Sequence, residues 1–482
     1  GAHAKPIELM ENPTMQHPTQ NSLIPFFEPR SVAIIGASAT PGKAGYEAIR
    51  NILAQGYLGG IHPVNPKGGD ILGLPVTPAI SALPQDVDLA VVILPADATP
   101  RALRECAAKG IRHVALMAGG FAEVDEGGAQ IQLELEDIIR ETGVRVLGPN
   151  ISGHTSTPQS YTSAFFPLGK IRRGNVSIIA QTGNFATHTM KYILSGEHFG
   201  VCRVIGLGNK VDIDETEALE YLADDPETSA VVIYLESFKR PQRFLEVARD
   251  LTRRKPIVML KSGTTEAGKQ AAVAHTAAMA AEDRLVDGML RQAGIVRVWE
   301  YTQLILATKA LSMVPLPPGN RVSFLAPSGA MLVAYTDLCV RLGLEVPDVN
   351  PQTIQRLQEI SPPYIRMRNP VDIWAAATVK GVEYAYREGM AAVLKDPNID
   401  AVVPVLMLTK EIGVPPFDFL LDLVKSYPEK PVLVSFSGDK DCMEDCKAFL
   451  EPRGVPTFPE IEQPFEVLSI LVRCRRAMHR PR

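Results

Sequence analysis

His275 lies within Lys261-Ser-Gly-Thr-Thr-Glu-Ala-Gly-Lys-Gln-Ala-Ala-Val-Ala-His275-Thr-Ala-Ala-Met-Ala280, a stretch made almost wholly of small residues that starts where an apolar run ends. An imidazole on a loop of Ala, Gly, Ser and Thr has nothing large beside it to pack against. The reading is a mobile loop whose histidine meets a reactant and carries a group between two places. Glu236 is the acid that suits it. It closes the run Tyr234-Leu235-Glu236, and an acid at the carboxyl end of a strand points toward the crevice where α/β proteins bind ligands. A carboxylate accepting from one ring nitrogen fixes the tautomer and leaves the other nitrogen as the nucleophile. The plainer alternative is an acid solvated at a strand end.

Two glycine turns add binding chemistry. Gln181-Thr182-Gly183-Asn184 joins a strand to a helix. Its free N–H groups could cradle a phosphoryl group, or Thr182 or Asn184 could simply cap the helix. Gly36-Ala-Ser38-Ala-Thr-Pro41-Gly42-Lys43-Ala-Gly45 follows the first strand and opens a helix. Such glycines let the backbone turn and approach a phosphate. The next strand ends in Ile61-His-Pro-Val64-Asn65-Pro-Lys67. An NAD site wants an acid there for the ribose diol, whereas Asn65 and Lys67 suit a ligand with an extra phosphate on its ribose. Coenzyme A and NADP both carry one, and a tight turn with a surface lysine would look the same. His113, His154 and His188 read as structural.

The elements that must position these residues are apolar runs alternating with helical patterns from end to end. Ser31-Val-Ala-Ile-Ile35, Asp88-Leu-Ala-Val-Val-Ile-Leu94, His113-Val-Ala-Leu-Met117, Val176-Ser-Ile-Ile179, Ala230-Val-Val-Ile-Tyr-Leu235 and Pro256-Ile-Val-Met-Leu260 are continuous rather than alternating. Strands buried on both faces require that, so the fold class is α/β with parallel sheets. The Gly148-Pro-Asn-Ile-Ser-Gly153 turn with its Ser/Thr-rich connector, and the stiff Pro315-Leu-Pro-Pro-Gly319 linker, divide the chain near 23–150, 151–314 and 315–482.

The last two domains echo each other. Gly174-Asn-Val-Ser-Ile-Ile-Ala-Gln-Thr-Gly183 resembles Gly319-Asn-Arg-Val-Ser-Phe-Leu-Ala-Pro-Ser-Gly329. Asp225-Pro-Glu-Thr-Ser-Ala-Val-Val232 resembles Asp396-Pro-Asn-Ile-Asp-Ala-Val-Val403, and Lys255-Pro-Ile-Val-Met-Leu-Lys-Ser-Gly263 resembles Lys430-Pro-Val-Leu-Val-Ser-Phe-Ser-Gly438. One flavodoxin-like unit is used twice. What both copies share belongs to the fold, and what one has alone is a candidate for chemistry. The second copy has nothing like His275, and Met407 stands where Glu236 is expected.

With 46% hydrophobic and 21% charged residues over 482 positions, this is an ordinary soluble composition. A formal charge of -5 and the lack of a basic stripe exclude a nucleic-acid surface. No run approaches the roughly 18 apolar residues of a membrane span, and no signal pattern opens the chain. Residues 1–22 read as a disordered tail beginning with a cloning scar. Cys442 and Cys446 fit one helix face with no second pair to complete a zinc site, so no metal site is expected. The cysteines read as reduced thiols of a cytoplasmic protein.

Taken together, these segments resemble the acyl-CoA synthetases that form a nucleoside diphosphate, and within them the alpha subunit of the ADP-forming acetyl-CoA synthetases, relatives of succinyl-CoA synthetase. Gly120-Phe-Ala-Glu123, Gly148-Pro-Asn150, Gly208-Asn-Lys-Val-Asp212, Ala274-His-Thr276 and Asn369-Pro-Val-Asp372 add to the match, which runs over about residues 23–480. The resemblance implies a Rossmann-like CoA-binding domain followed by two flavodoxin-like domains. It also implies a reaction in which carboxylic acid, CoA and ATP give acyl-CoA, ADP and phosphate through an acyl phosphate. His275 falls on the phosphorylated position, Glu236 on the acid that orients it, and Gln181, Thr182, Gly183 and Asn184 on the turn facing the phosphate. Gly36, Ser38, Pro41, Gly42, Lys43 and Lys67, with Val64 and Pro95, fall on the CoA-binding stretch. Glu123 and Asn150 match acyl-site or CoA-side positions.

The family's ATP-grasp domain has no counterpart in this sequence. The resemblance therefore implies a beta subunit carrying ATP/ADP and Mg2+, in a hetero-oligomer or with a homodimer of this chain. Two departures stand out. Ala277 replaces a usual glycine after His275, which narrows the accessible backbone, and Thr264 stands where an arginine is common. They motivate the alternative of a CoA-binding regulatory or scaffold protein without phosphoryl transfer. An NADP-dependent oxidoreductase, from the first glycine turn and Lys67 alone, leaves the last two domains unexplained.

Overall fold

The structure is a computed structural model that describes residues 23–276 and 282–481. The tail expected over 1–22 and the Ala277-Ala278 departure lie outside the described residues. Among them the chain forms three sheets of parallel strands and a short two-stranded ribbon. The first sheet holds strands Ser31–Ile35, Gly60–Val64, Leu89–Val92, His113–Leu116 and Arg145–Leu147. The second has Val176–Ala180, Arg203–Gly206, Ala230–Leu235, Ile257–Lys261 and Val296–Val298. The hairpin Thr155–Ser156 and Tyr161–Thr162 adds antiparallel at its edge. The third has Val322–Ala326, Val371–Asp372, Ala401–Leu408, Val434–Gly438 and Thr457–Phe458.

Numbered along the chain, the parallel strands of every sheet run 2-1-3-4-5. The first domain thus has the same strand order as the two units read as a repeat. The repeat itself maps onto equivalent places, since its three matched segments supply the first, third and fourth strands of sheets two and three. Pairing register makes the comparison exact to the residue: Val176 lies opposite Ala230, and Val322 opposite Ala401. Counting on from these pairs puts Met407, buried within its strand, where Glu236 ends the other.

In a sheet of this order the crevice opens between the carboxyl ends of strands one and three, where the connections diverge. In the first domain that crevice lies between Gly36 and Ile93, and in the second between Gln181 and Glu236. The packing of these two domains brings both crevices to one cleft. Asn51, fully buried on the helix Ala44–Gln55, fixes the junction. Its Nδ2 donates to Ala164 O and Phe166 O (2.7 Å each), and its Oδ1 accepts from Leu168 N (3.2 Å). The second and third domains are joined by a shared apolar core and by Lys309. This buried ammonium contacts Glu197 (2.9 Å) on one side and Glu451 and Thr457 O on the other.

One expectation fails here. Residues 266–276 are not a loop but the helix Glu266–Thr276, and His275 lies in its last turn. Alanine is the best helix former because it loses no side-chain freedom. Thr265 supplies the start, its Oγ1 accepting from Gly268 N (3.0 Å). Small residues that looked bare as a loop are therefore the ones that favour a helix.

Candidate active site

The imidazole of His275 sits over the end of strand Ala230–Leu235. Its Nδ1 lies 3.0 Å from Glu236 Oε1 and 3.2 Å from Oε2. The ring is 55% exposed and the carboxylate only 6%, so the acid is covered while its partner faces outward. The expected pair is therefore formed, with Nε2 as the nitrogen away from the carboxylate. Tyr234 Oη donates to Glu236 Oε1 (3.2 Å). Burial first, then the nearby carboxylate, pushes the Tyr234 phenol up to about 12, so it stays a donor.

Gln181 ends the neighbouring strand and turns its side chain back onto the acid. Its Oε1 accepts from Glu236 N (2.8 Å) and Ser237 N (3.1 Å), and its Nε2 donates to Ser237 Oγ (3.2 Å). The Gln181 amide thus holds the acid's backbone. The turn beyond it is one 3-10 turn, Gly183–Ala186, before the helix His188–Gly196 begins. Thr182 Oγ1 accepts from Asn184 N (3.3 Å), so the capping alternative is realised. A Cβ at Gly183 would stand 2.1 Å from Ser152 Oγ, and only glycine fits. Asn184 turns the other way, donating to Tyr301 Oη (2.6 Å) and Thr189 Oγ1 (3.3 Å).

Supporting cations surround the strand ends. Lys210 Nζ donates to Glu215 Oε2 (3.0 Å) and Ser237 O (2.9 Å). Lys261, buried at the end of its strand, donates to Ser262 O (2.5 Å). Burial, and secondarily Arg297, pulls its ammonium down to about 8.

A cavity of about 380 Å³ opens beside the histidine. Pro95, Asn150, Gln181, Thr182, Gly183 and His275 all line it. Asn150 is held in a left-handed conformation (φ 63°), and its Nδ2 donates to Asn209 Oδ1 (3.3 Å). Glu123 is not among the lining residues. Its Oε1 accepts from Gly120 N (2.7 Å) and Phe121 N (3.2 Å), and its Oε2 from Asn209 Nδ2 (2.6 Å). Burial would raise this acid, but those donors win and hold it below the usual carboxylate range. It braces Asn150 through Asn209.

At the other end of the cleft the first glycine turn is built to bring its backbone close. Gly36 has φ 87°, and a Cβ there would lie 2.1 Å from Ile93 O. Val64, its side chain buried, latches the turn by accepting from Gly36 N and Ala37 N (3.2 Å each). Ser38 Oγ accepts from Thr40 N (3.1 Å), and Gly42 N donates to Glu47 Oε1 (3.0 Å). Asn65 is spent on the turn itself, bridging Ala37 O (2.8 Å) and Lys67 N (2.9 Å). Pro41, Lys43 and Lys67 are exposed around it. An exposed pair of ammonium groups beside a tight turn and the helix start at Ala44 fits a phosphorylated ribose and its diphosphate. Tyr234, Lys210, Ser152 and Phe165 escaped sequence reasoning. Tyr234, Ser152 and Lys210 lay in segments singled out for other residues, and Phe165 lay in the connector after Gly153.

Three family models match in succession: a CoA binding domain over residues 30–154, a succinyl-CoA ligase like flavodoxin domain over 173–311, and a ligase-CoA domain over 322–481. The chain is 34% identical to the alpha subunit of acetate–CoA ligase [ADP-forming] I of Pyrococcus furiosus, over 93% of this chain and 97% of that one. It is 35% identical to acetate–CoA ligase [ADP-forming] II of Archaeoglobus fulgidus over 92% of its own length, but spans only 65% of that longer protein. In structure it is similar to the dinucleotide-forming acetyl-coenzyme A synthetase 1 of Ca. Korarchaeum cryptofilum, solved with phosphate and ADP. The TM-score is 0.87 at 31% identity, covering 95% of this chain and 98% of that one. A single uninterrupted likeness across three consecutive domains makes the chain a member of the ADP-forming acetate–CoA ligase family.

Proposed function

We propose that this chain is the alpha-type part of an ADP-forming acid–thiol ligase, and that His275 is its phosphoryl carrier. The observation that carries the reading is the covered Glu236 beneath an exposed His275 at the mouth of a cavity shared by two domains. In the direction of thioester synthesis a carboxylate oxygen attacks the phosphorus of phospho-His275. The N–P bond breaks, and its electrons return to Nε2. Glu236 holds the Nδ1 proton throughout, which keeps the ring neutral after transfer and ready for reloading. The CoA thiol then attacks the carbonyl carbon of the acyl phosphate, the C–O bond to phosphate breaks, and the thiol proton leaves with the phosphate.

Backbone N–H groups of the Thr182-Gly183 turn are the donors for the phosphoryl oxygens. The first glycine turn, with Lys43 and Lys67, receives CoA. Phosphoryl supply from ATP, with Mg2+, is assigned to an ATP-grasp beta chain, so the working enzyme is a hetero-oligomer. His275 must leave Glu236 to reach that chain. Gly263 (φ 74°) and Gly268 flank the start of its helix and are the positions where the backbone can bend.

The reaction is tested in reverse, which needs no partner. The protein is incubated with an acyl-CoA and labelled phosphate, and the expected product is acid-labile, base-stable label on His275, absent from a His275→Ala chain. CoA binding without label, either here or with ATP and an ATP-grasp chain present, would establish the scaffold alternative instead.

A further inference from the structure

A second cavity, of about 570 Å³, is lined by the hairpin region 155–161 and by the segment 169–173 that follows it. Among the described residues it shares no lining side with the cavity beside His275. Ala44 opens a helix and lines the first cavity, and Gln55 ends the same helix and lines the second. At 1.5 Å per residue the two stand about 16 Å apart. Lys170, Arg172 and Arg173 line the second cavity, and among the described residues no Asp or Glu does. We infer that this cavity is a binding site for a small organic phosphate, with Lys170 and Arg172 holding the phosphoryl oxygens. The inference goes beyond the acyl-transfer reading and does not depend on it.

The charges there are unspent. Arg173 is partly neutralised, its Nη2 lying 2.7 Å from Glu227 Oε2. Arg172 is not, because its Nη1 donates to a neutral carbonyl, Glu197 O (2.9 Å). The Glu197 carboxylate is taken by Lys309 and Lys447. That one bond orients the Arg172 guanidinium and leaves its Nε and Nη2 edge for a ligand. Lys170 Nζ and the Ser160 hydroxyl have no hydrogen bond or ion pair among the described residues. Tyr161 is in the lining too, and its Oη is buried without a hydrogen-bond partner. An orphaned buried hydroxyl calls for an acceptor, which an anionic oxygen supplies. The backbone that carries the charge is already fixed. Gln55 Nε2 donates to Gly169 O (3.1 Å) and Gln55 Oε1 accepts from Ile171 N (2.8 Å), so one buried amide pins the chain on both sides of Lys170. A guanidinium edge matches two phosphoryl oxygens, and an ammonium adds a point charge. The volume falls among sites for whole small molecules, about 300–1,000 Å³, so the ligand carries an organic body besides its phosphate.

The test is equilibrium dialysis of the whole chain against ribose 5-phosphate, glycerol 3-phosphate and AMP, with and without CoA. At least one of the three is expected to bind more tightly than about 1 mM, and a Lys170→Ala/Arg172→Ala chain to bind it roughly 10-fold or more weakly. Both side chains are exposed, so the core is left intact. Lys170→Glu breaks no bond of the fold and is expected to abolish binding, which keeps the test decisive if the double variant misfolds. Lys170→Arg is expected to retain it. Binding of none of the three, or binding unchanged in the double variant and in Lys170→Glu, overturns the inference. Displacement by CoA places the ligand on the first glycine turn and overturns it equally.

Discussion

Gln181 Oε1 accepts the backbone N–H of Glu236 at 2.8 Å, so the residue that opens the turn to Asn184 also sets the height of the acid beneath His275. The same oxygen also accepts the next N–H, of Ser237. Gln181→Leu would leave two covered donors unpaired and is expected to cost about 1–3 kcal/mol in stability. The displaced carboxylate is expected to slow His275 labelling roughly 10-fold or more. Chemical unfolding and single-turnover labelling measure the two losses, and an unchanged labelling rate would show that Gln181 does not position the acid.

Glu236→Gln keeps size but can present an N–H to Nδ1 and so stabilise the wrong tautomer. Phosphorylation is expected to slow by roughly 100-fold or more, as when the analogous carboxylate of a hydrolytic triad becomes an amide. Ring-nitrogen NMR of His275 reports the tautomer directly. Unaltered ring shifts beside an unaltered rate would remove Glu236 from the mechanism.

His154 gives the fold an acid limit. It is fully buried at the junction of the first two domains, with Nε2 2.8 Å from Phe26 O and Nδ1 2.7 Å from Ser163 Oγ. Burial pulls the imidazole down to about 4 from an ordinary 6.5. Below 6.5 the unfolded chain takes up the proton and the folded one does not. Stability is therefore complete above pH 6.5 and falls as pH drops toward 4, by about 3 kcal/mol at most. Urea midpoints between pH 7.5 and 4.5 should show the fall, and His154→Asn should flatten it while lowering stability at pH 7.

Lys309 neutralises acids from two domains at once. Lys309→Met would leave Glu197 and Glu451 facing each other across a dry contact, with Lys447 (3.2 Å from Glu197) the remaining cation paired there among the described residues. A loss of about 3–5 kcal/mol is expected. Adding Glu451→Gln should recover part of it. Differential scanning calorimetry of the single and double variants decides between this and a purely apolar junction, for which methionine would be harmless.

Much of this was legible because it is local or periodic. Buried parallel strands announce themselves as unbroken apolar runs, and the repeat marked Glu236 and His275 as the pair present in one copy alone. The structure puts the two side chains 3.0 Å apart. The helix Glu266–Thr276 was misread because absence of packing partners was weighed above the propensity of alanine. Asn184 and Glu123 look like ligand groups in sequence, but each is drawn away by a partner distant in the chain: Tyr301 for one, Asn209 for the other. The Asn51 grip on residues 164–168 and the placing of Phe165 depend on how two domains meet, which no short pattern encodes.

That grip has a further consequence. Because three hydrogen bonds from one buried amide tie residues 164–168, Phe165 of the cavity lining among them, to the neighbouring domain, that side of the cleft behaves as a mould rather than a jaw. A ligand there meets a finished surface and need not freeze one into place, so its fit is a matter of outline.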